Sequence, residues 1–296
     1  MTFLRTYGAP IGKTRIFFDG SFWIFLVSFC REEGESVIIP GVVSATFREK
    51  PAEDIIRLCV AAKLKAVEWS ENAHVKPGDP EGAKALYEKT RKAGLMVAAY
   101  GSYYKFGQSE DPEKAFEASL VSAKALHAPL IRVWAGTEPS QLVPDEKRKE
   151  LAREAAIICT MAQGRGIKVA LEWHRNTLTD TNESAMKFLK EVNHENLFCL
   201  WQPTLALSME EKMEGLDFLG GRLLNLHIYY WPADGVRRPL EEGAHIWRQY
   251  LEHVDKKKDR FGLLEFVMGD TEEQFLEDTR ILHKLLVVKP EKERAI

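Results

Sequence analysis

Four short apolar segments of the chain end on polar side chains that could bind a metal ion or move a proton. They are Glu172 in KVALEW, Gln202 in FCLWQP, His227 in LNLHIY and Glu265 in GLLEFV. Two carboxylates, an imidazole and an amide oxygen suit a divalent cation, and the excess of oxygen donors favours Mn²⁺ or Mg²⁺ over Co²⁺ or Zn²⁺. We therefore expect these four side chains to bind one metal ion.

The same residue types fit the chemistry of a carbon atom next to a carbonyl group. Removing a proton from such a carbon requires a positioned base and stabilisation of the enediolate that forms, which a metal ion can supply. Glu172 and Glu265 are the predicted acid and base. The structural alternative is that each glutamate is neutralised by an arginine, for which Arg175, Arg237 and Arg238 are candidates.

From Val37 onward, short β-branched runs alternate with longer segments that carry helix signals. One such segment, GDPEGAKALYEKTRKAG, has Asp79 as a predicted N-cap, Pro80 at the first helical position and Gly94 as its stop. There are eight strand-then-helix units. Their strands end near Ser44, Glu68, Gly101, Ala135, Glu172, Gln202, His227 and Glu265.

Eight units without a break in composition predict a single closed (β/α)₈ TIM barrel over residues 37–290, in the α/β class. The alternative is an open doubly wound sheet, but no glycine-rich phosphate loop follows any strand. In a barrel the carboxyl ends of all eight strands meet on one face, so the four polar side chains should converge. Residues 1–36 are predicted to form a peripheral N-terminal extension.

Composition narrows the class of protein. The chain has 296 residues, a net charge of −3 and no basic patch that would predict nucleic-acid binding. Its apolar N-terminal stretch is too short to span a bilayer. The four cysteines are far apart, which indicates reduced thiols in a cytoplasmic protein rather than disulfides. We expect a small-molecule sugar substrate and no nucleic-acid or membrane partner; a homo-oligomer stays open.

Further side chains near the strand ends are candidates for substrate binding. Strand alternation places His174 on the same side as Glu172, so it could bind substrate or metal. Indole rings stack on the C–H faces of sugars, although they also fill cores. The predicted substrate-binding residues are Glu68, Trp69, His74, His174, Trp231 and Arg237. For Glu68 with His74, and for Arg237, the alternative is a salt bridge or a solvated loop charge.

Several motifs resemble those of the xylose isomerase-like TIM barrels, a family of sugar phosphate isomerases and epimerases. They are VEWSENAHV, LIRVWAGT, ALEWH, LWQP, LLNLHIYYW, PLEEGAHIW and LLEFV, spread over roughly residues 37–287. The resemblance implies that Glu172, the position of Gln202, His227 and Glu265 bind the metal, and that both glutamates act as acid and base. Gln202 replaces the usual Asp, and Leu205 and Ala233 stand where epimerases place a His and an Arg.

The sequence thus predicts a metal-dependent isomerase or epimerase of a small sugar or sugar derivative. A metal-dependent dehydratase of a keto-inositol-like compound is the alternative on the same site, because proton removal is shared and only the leaving group differs. A non-catalytic carbohydrate-binding barrel is the alternative of another class. A phosphate-cleaving DNA-repair enzyme would need more metal ligands and a basic groove.

Overall fold

The computed structural model describes residues 37–286. Eight parallel strands hydrogen-bond in sequence order, and β8 pairs with β1 to close the barrel. The strands are β1 Ile38–Val43, β2 Ala66–Ser70, β3 Met96–Lys105, β4 Leu130–Trp134, β5 Lys168–Glu172, β6 Leu197–Trp201, β7 Leu223–Ile228 and β8 Arg260–Leu264. The predicted TIM barrel is confirmed, and the doubly wound alternative is wrong.

One helix follows each strand and covers the outside of the barrel. The helices are α1 Ala52–Ala61, α2 Pro80–Lys92, α3 Pro112–Ala125, α4 Asp145–Gln163, α5 Asn182–Val192, α6 Met209–Leu219, α7 Leu240–Glu252 and α8 Glu272–Leu286. Local signals fix their ends: Asp79 Oδ1 accepts the Gly82 N–H at 2.9 Å, and Gly94 follows α2 with φ 76°. Among residues 37–286, no helix combines the length and apolar character that a membrane crossing needs.

The largest core lies between the strands and the helices, whereas two smaller clusters mix leucine and valine side chains with several alanines. Ala66, Ala98, Ala99 and Ala170 are fully buried there. These alanines leave room above them for long charged side chains at the carboxyl ends of the strands. Gly101 shows how tight this layer of charged side chains is, because a Cβ at that position would lie 2.8 Å from Glu68 Oε1 and 3.0 Å from Arg132 Nη2.

The predicted N-terminal extension lies outside the described residues, as does the predicted barrel boundary at residue 290. Because strand pairing closes the barrel within residues 38–264, we expect a chain beginning at Ser36 to be soluble, to unfold in one cooperative transition and to keep its activity. Thermal unfolding of the shortened and full chains tests this. An insoluble or inactive shortened chain would mean that residues 1–35 support the barrel or its site.

Candidate functional site

The carboxyl ends of β5, β7 and β8 bring two glutamates and a histidine together. Glu172, His227 and Glu265 each offer one ligand atom, and these atoms all lie within 4.8 Å of one another. All three residues are buried, with 3%, 0% and 5% of their surface exposed. The predicted convergence of these three strand-end residues is therefore present, and the cluster has the donors of a divalent-cation site.

The counter-charge of the cluster comes from Arg132, in the middle of β4. Its Nε donates to Glu68 Oε1 at 3.0 Å, and its Nη1 donates to Glu172 Oε2 at 2.7 Å. Arg132 is only 3% exposed and Glu68 is fully buried. The candidates named from sequence for neutralising the glutamates, Arg175 among them, were wrong. A single arginine inside the apolar run LIRVW was the signal that could have identified it, since an unpaired buried charge is costly.

The electrostatics keep both glutamates that contact Arg132 ionised. Burial alone would raise the pKa of Glu172, but the Arg132 guanidinium and His227 hold it well below its usual range. Burial likewise opposes ionisation of Glu68, whereas His227 and Arg132 lower its pKa below the ordinary value. Trp134 Nε1 also donates to Glu172 Oε2. Glu172 Oε2 therefore accepts two hydrogen bonds, one from Arg132 and one from Trp134.

Glu68 binds one ring nitrogen of His227, Nε2, and this leaves the other, Nδ1, without a hydrogen bond. Nε2 lies 3.0 Å from Glu68 Oε2, and because a carboxylate only accepts, Nε2 carries the proton of that bond. Nδ1 lies 3.2 Å from Glu172 Oε1 and 3.2 Å from Glu265 Oε2 but has no hydrogen-bond partner. A carboxylate that fixes the far side of a ligating imidazole is the common arrangement around protein metal ions.

A lone pair on Nδ1 facing two carboxylates is unfavourable unless a cation lies between them. Without a metal, a proton fills that role: burial would lower the pKa of His227, but Glu265 and Glu68 raise it well above its ordinary value. Glu265 Oε2 and Gln202 Oε1 are also buried without partners. These orphaned acceptors fit a divalent cation, so the residues present suit the metal that the sequence predicts.

Gln202 follows β6 and its amide has a fixed orientation. Nε2 donates to the Trp173 carbonyl at 2.9 Å, which leaves Oε1 as the free, buried atom. An amide oxygen is a ligand that Mg²⁺ and Mn²⁺ accept. Gln202 as a fourth, neutral ligand stays a prediction, with which its unpartnered Oε1 is consistent.

The charge of Gln202 leads to a specific expectation. With two carboxylates, a neutral imidazole and an amide around a dication, the ligand shell is neutral overall; Gln202→Asp would make it negative. We expect Gln202→Asp to bind Mn²⁺ more tightly, by about tenfold or more, the factor that ~1.4 kcal/mol produces. Gln202→Leu should bind it more weakly. Calorimetric titration of metal-stripped protein measures both, and equal affinity in all three proteins would mean that Gln202 does not touch the metal.

Two groups of aromatic side chains lie near the cluster, at the carboxyl ends of the strands. On one side the Trp134 ring lies 5.1 Å from His174 and 5.2 Å from Tyr103. On the other side Trp231 lies 5.1 Å from Tyr229 and 4.9 Å from Phe266. Of these rings, the sequence had singled out only His174 and Trp231 for the site.

Phe266 directly follows Glu265 and adopts φ 56°. A bulky residue in the left-handed region is strained, and such residues concentrate at functional sites. The ring of Phe266 packs against Tyr229 at 5.5 Å. No local sequence signal marks it, because aromatic residues do not favour this backbone conformation.

The structure corrects the expectations for Trp69 and His74. Trp69 is fully buried, and its Nε1 donates to Thr90 on α2, outside the barrel. Adjacent strand residues face opposite sides, so Trp69 cannot share the pocket with Glu68. His74 Nε2 bonds the Lys50 carbonyl at 3.0 Å, and its ring meets Trp69 edge-on. Glu68 bonds His227 and Arg132, so the salt bridge considered between Glu68 and His74 is also wrong.

The remaining basic candidates are in the loops. Arg237 pairs with Asp270 at 2.7 Å and lies over the rings of Trp231 and Phe266, at 5.9 and 5.1 Å. Arg238 pairs with Asp234 at 2.9 Å. Arg237 thus lies at the edge of the aromatic wall, and its charge is already neutralised by Asp270. A carboxylate or phosphate of a substrate would have to compete with Asp270 for this guanidinium.

His174 is part-exposed, and one hydrogen bond of its ring indicates which ring nitrogen carries a proton. Nδ1 lies 2.7 Å from the Arg175 carbonyl, which can only accept, so Nδ1 carries a proton. In the neutral ring Nε2 is then unprotonated. The ring is close enough to Glu172 to lower the pKa of that carboxyl, although less than Arg132 and His227 do.

Comparison with known proteins agrees with this architecture. The family model for the xylose isomerase-like TIM barrel matches residues 56–285. A 3-dehydroshikimate dehydratase of Bacillus anthracis is 32% identical over 106 residues, which is 35% of this chain and 38% of that protein. The chain thus aligns with well under half of that relative's length.

Solved structures share the fold at lower identity. The crystal structure of a probable 3-DHS dehydratase involved in petrobactin synthesis from Bacillus anthracis superposes with TM-score 0.71 and 20% identity, over 83% of this chain and 99% of that one. An L-ribulose 3-epimerase gives TM-score 0.63 at 15% identity over 84% and 94%. A D-allulose 3-epimerase from Methylomonas sp. gives 0.64 at 14% over 86% and 99%. The chain belongs to the xylose isomerase-like TIM barrel family.

Proposed function

We propose that this chain is a metal-dependent enzyme that removes a proton from a carbon next to a carbonyl group in a small polyhydroxylated compound. The observation that carries the proposal is the buried cluster of Glu172, His227 and Glu265, with unpartnered acceptor atoms on His227, Glu265 and Gln202. A divalent cation held there supplies Lewis-acid polarisation of substrate oxygens. Mn²⁺ and Mg²⁺ remain the preferred candidates for these donors.

The two glutamates differ in what they can do with a proton. Glu172 accepts from both Arg132 and Trp134 and its pKa is held low, so it is a poor base. Neither Arg132 nor Trp134 donates a hydrogen bond to Glu265, so the Glu265 oxygen that does not face the metal is better placed than Glu172 to accept or return a proton. We therefore propose that Glu172 binds the metal without transferring a proton. Of the two glutamates expected to act as acid and base, only Glu265 keeps that role.

The substrate would lie between the two aromatic walls. His174, whose Nε2 is unprotonated in the neutral ring, can accept a hydrogen bond or a proton from a substrate hydroxyl. Trp134 and Trp231, whose rings also lie beside Lys105 and Arg237, would provide the apolar surface that the C–H groups of a sugar-like ring contact. Water-excluding walls around buried charges also strengthen the electrostatic stabilisation that proton removal requires.

Among reactions that begin in this way, we infer that loss of water from a hydroxylated keto acid is supported best. Lys105 Nζ lies 4.7 Å above the Trp134 ring with no carboxylate partner, and Arg175 is exposed with none, among the residues that the structure describes. Two unpaired cations at the mouth favour an acidic substrate. The relative from Bacillus anthracis, by its name, dehydrates 3-dehydroshikimate, which is such an acid.

Isomerisation or epimerisation of a neutral sugar is the second candidate. The structural likeness to the ribulose and allulose epimerases favours it. Against it, Leu205 and Ala233 occupy the positions where the resemblance implies a His and an Arg. Both line an apolar groove beside the site, so they offer a sugar hydroxyl no hydrogen-bonding side chain.

The test is a substrate comparison with metal-stripped protein, with and without added Mn²⁺. We expect Mn²⁺-dependent loss of water from 3-dehydroshikimate, followed by NMR, and little change in D-allulose or L-ribulose. Reactions in D₂O would also record deuterium entry next to the carbonyl. Faster turnover of the ketoses than of 3-dehydroshikimate would favour isomerisation or epimerisation over loss of water. Saturable binding of a sugar without turnover or deuterium exchange, with or without Mn²⁺, would indicate the non-catalytic carbohydrate-binding alternative instead.

A further inference from the structure

A second cavity, of about 280 Å³, lies beside the proposed active site. It opens between the loop after β6, the first turn of α6, the loop after β7 and the buried face of α7. Its size is just below the ~300–1,000 Å³ of typical small-ligand pockets, so it has room for a molecule of about one ring. Tyr229 and Trp231 belong to both the cavity wall and the aromatic wall of the active site.

The cavity walls are built from aromatic side chains held in fixed positions. Trp247 and Tyr250 are 1% and 4% exposed, with their rings 5.5 Å apart at 90°. Trp247 Nε1 donates to the Tyr229 carbonyl at 2.7 Å, and the Tyr229 hydroxyl donates to the Pro203 carbonyl at 3.1 Å. These bonds join α7 to both loops, so the cavity needs no ligand in order to form.

Each polar side chain around this cavity can donate a hydrogen bond, and no carboxylate lines the cavity among the described residues. Lys212 is the one charged residue of the lining. It is half-buried, and within residues 37–286 it forms no salt bridge and no side-chain hydrogen bond. The Trp231 Nε1–H is buried without a partner. Burial raises the pKa of Tyr250 to about 12, so its hydroxyl keeps its proton.

A lone ammonium in apolar surroundings is itself an unfavourable arrangement. Burial lowers the pKa of Lys212 below its ordinary value, and only its neighbour Glu211 opposes this. Glu211 is not part of the lining, and its Oε2 already accepts from the Ser208 backbone at 2.7 Å. An anion placed at the cavity end of Lys212 would remove this cost and gain a charge-assisted hydrogen bond.

We propose that this cavity is a binding site for a planar organic monocarboxylate, with its ring against the aromatic walls and its carboxylate on Lys212. A flat ring suits walls made of indoles and phenols, which prefer offset or edge-to-face contact with other rings. None of the residues that line the cavity belongs to the metal cluster, and the proposal does not depend on the proposed reaction. A ligand in it would contact the far side of Tyr229 and Trp231.

The proposal is tested with benzoate on metal-stripped full-length protein, so that a metal cannot attract the carboxylate. Saturable 1:1 binding is followed by tryptophan fluorescence and by saturation-transfer NMR. We expect Lys212→Met and Lys212→Gln to raise Kd roughly tenfold or more, as the loss of a charged hydrogen bond does. Benzamide, which has the same ring without the charge, should bind the unaltered protein more weakly by a similar factor.

Two control variants locate the site. Lys84→Met removes an exposed lysine of α2 and should leave Kd unchanged. Lys105→Met removes one of the two cations at the mouth of the proposed active site and should also leave Kd unchanged. If Lys105→Met weakens benzoate and Lys212→Met does not, the acid binds at the catalytic mouth and the proposal is wrong. Absence of saturable binding, or equal affinity for benzamide, overturns it too.

Discussion

Glu265→Gln is expected to lower kcat by about 10²–10⁴-fold, the range that general acid–base catalysis contributes, while the barrel stays folded. The amide keeps the shape of the side chain but cannot accept a proton. It also removes a charge from the cluster with Glu172 and His227, so metal affinity should fall as well. Steady-state kinetics at saturating Mn²⁺ separates the two effects, because excess metal restores only the binding defect.

The matched control is Asp278→Asn, a buried carboxylate away from the cluster. Asp278 is 3% exposed and accepts the Leu240 N–H at 2.9 Å. This variant should change stability only and leave kcat and metal affinity near those of the unaltered enzyme. Near-normal turnover in Glu265→Gln at saturating Mn²⁺ would remove Glu265 from the proton transfer.

Arg132→Met should produce the largest loss of stability. The change leaves Glu68 and Glu172 buried and without the guanidinium that both contact, at 3.0 and 2.7 Å, so that both keep only the His227 ring as a shared neighbour of opposite charge. Breaking a buried ion pair by removing one partner costs about 3–5 kcal/mol. For a domain of this size each kcal/mol shifts Tm by about 2–4 °C, so a decrease of roughly 6–20 °C is expected in metal-free protein.

A second variant distinguishes the charge effect from lost packing. In the double variant Glu68→Gln, Arg132→Met one of the two uncompensated carboxylates is gone. Its free energy of unfolding should therefore fall by less than the sum of the two single changes, since residues in contact are not additive. A simply additive double variant, or an Arg132→Met protein as stable as the original, would mean that Arg132 does not neutralise these glutamates.

The sequence predicted the barrel and the positions of its polar strand ends because both depend on local periodicity. Strands and helices alternate with short spacings, and parallel strands place their carboxyl ends on one face. The meeting of Glu172, His227 and Glu265 therefore follows from their places at the ends of three strands. Gln202 was placed at the same face, and its amide orientation depends on the position of the Trp173 carbonyl.

What the sequence could not supply were the pairings between distant strands. Arg132 and Glu68 are 64 positions apart, and their ion pair depends on Gly101 leaving space between neighbouring strands. For Trp69, strand alternation alone indicates the outward direction, because a residue next to an inward-facing Glu68 faces outward. His74 and Phe266 lie in loops, whose conformations follow from contacts with Lys50 and with the rings of Tyr229 and Trp231.

Binding of Mn²⁺ to metal-stripped protein tests the central claim most directly. Electron paramagnetic resonance counts free Mn²⁺ during a titration and requires no knowledge of the substrate. We expect one Mn²⁺ per chain, with affinity reduced by at least about 100-fold in His227→Gln, because even outer-shell changes cost 10–100-fold. Asp278→Asn should bind as the unaltered protein does. No stoichiometric binding, or equal binding in His227→Gln, would contradict a metal site at Glu172, His227 and Glu265.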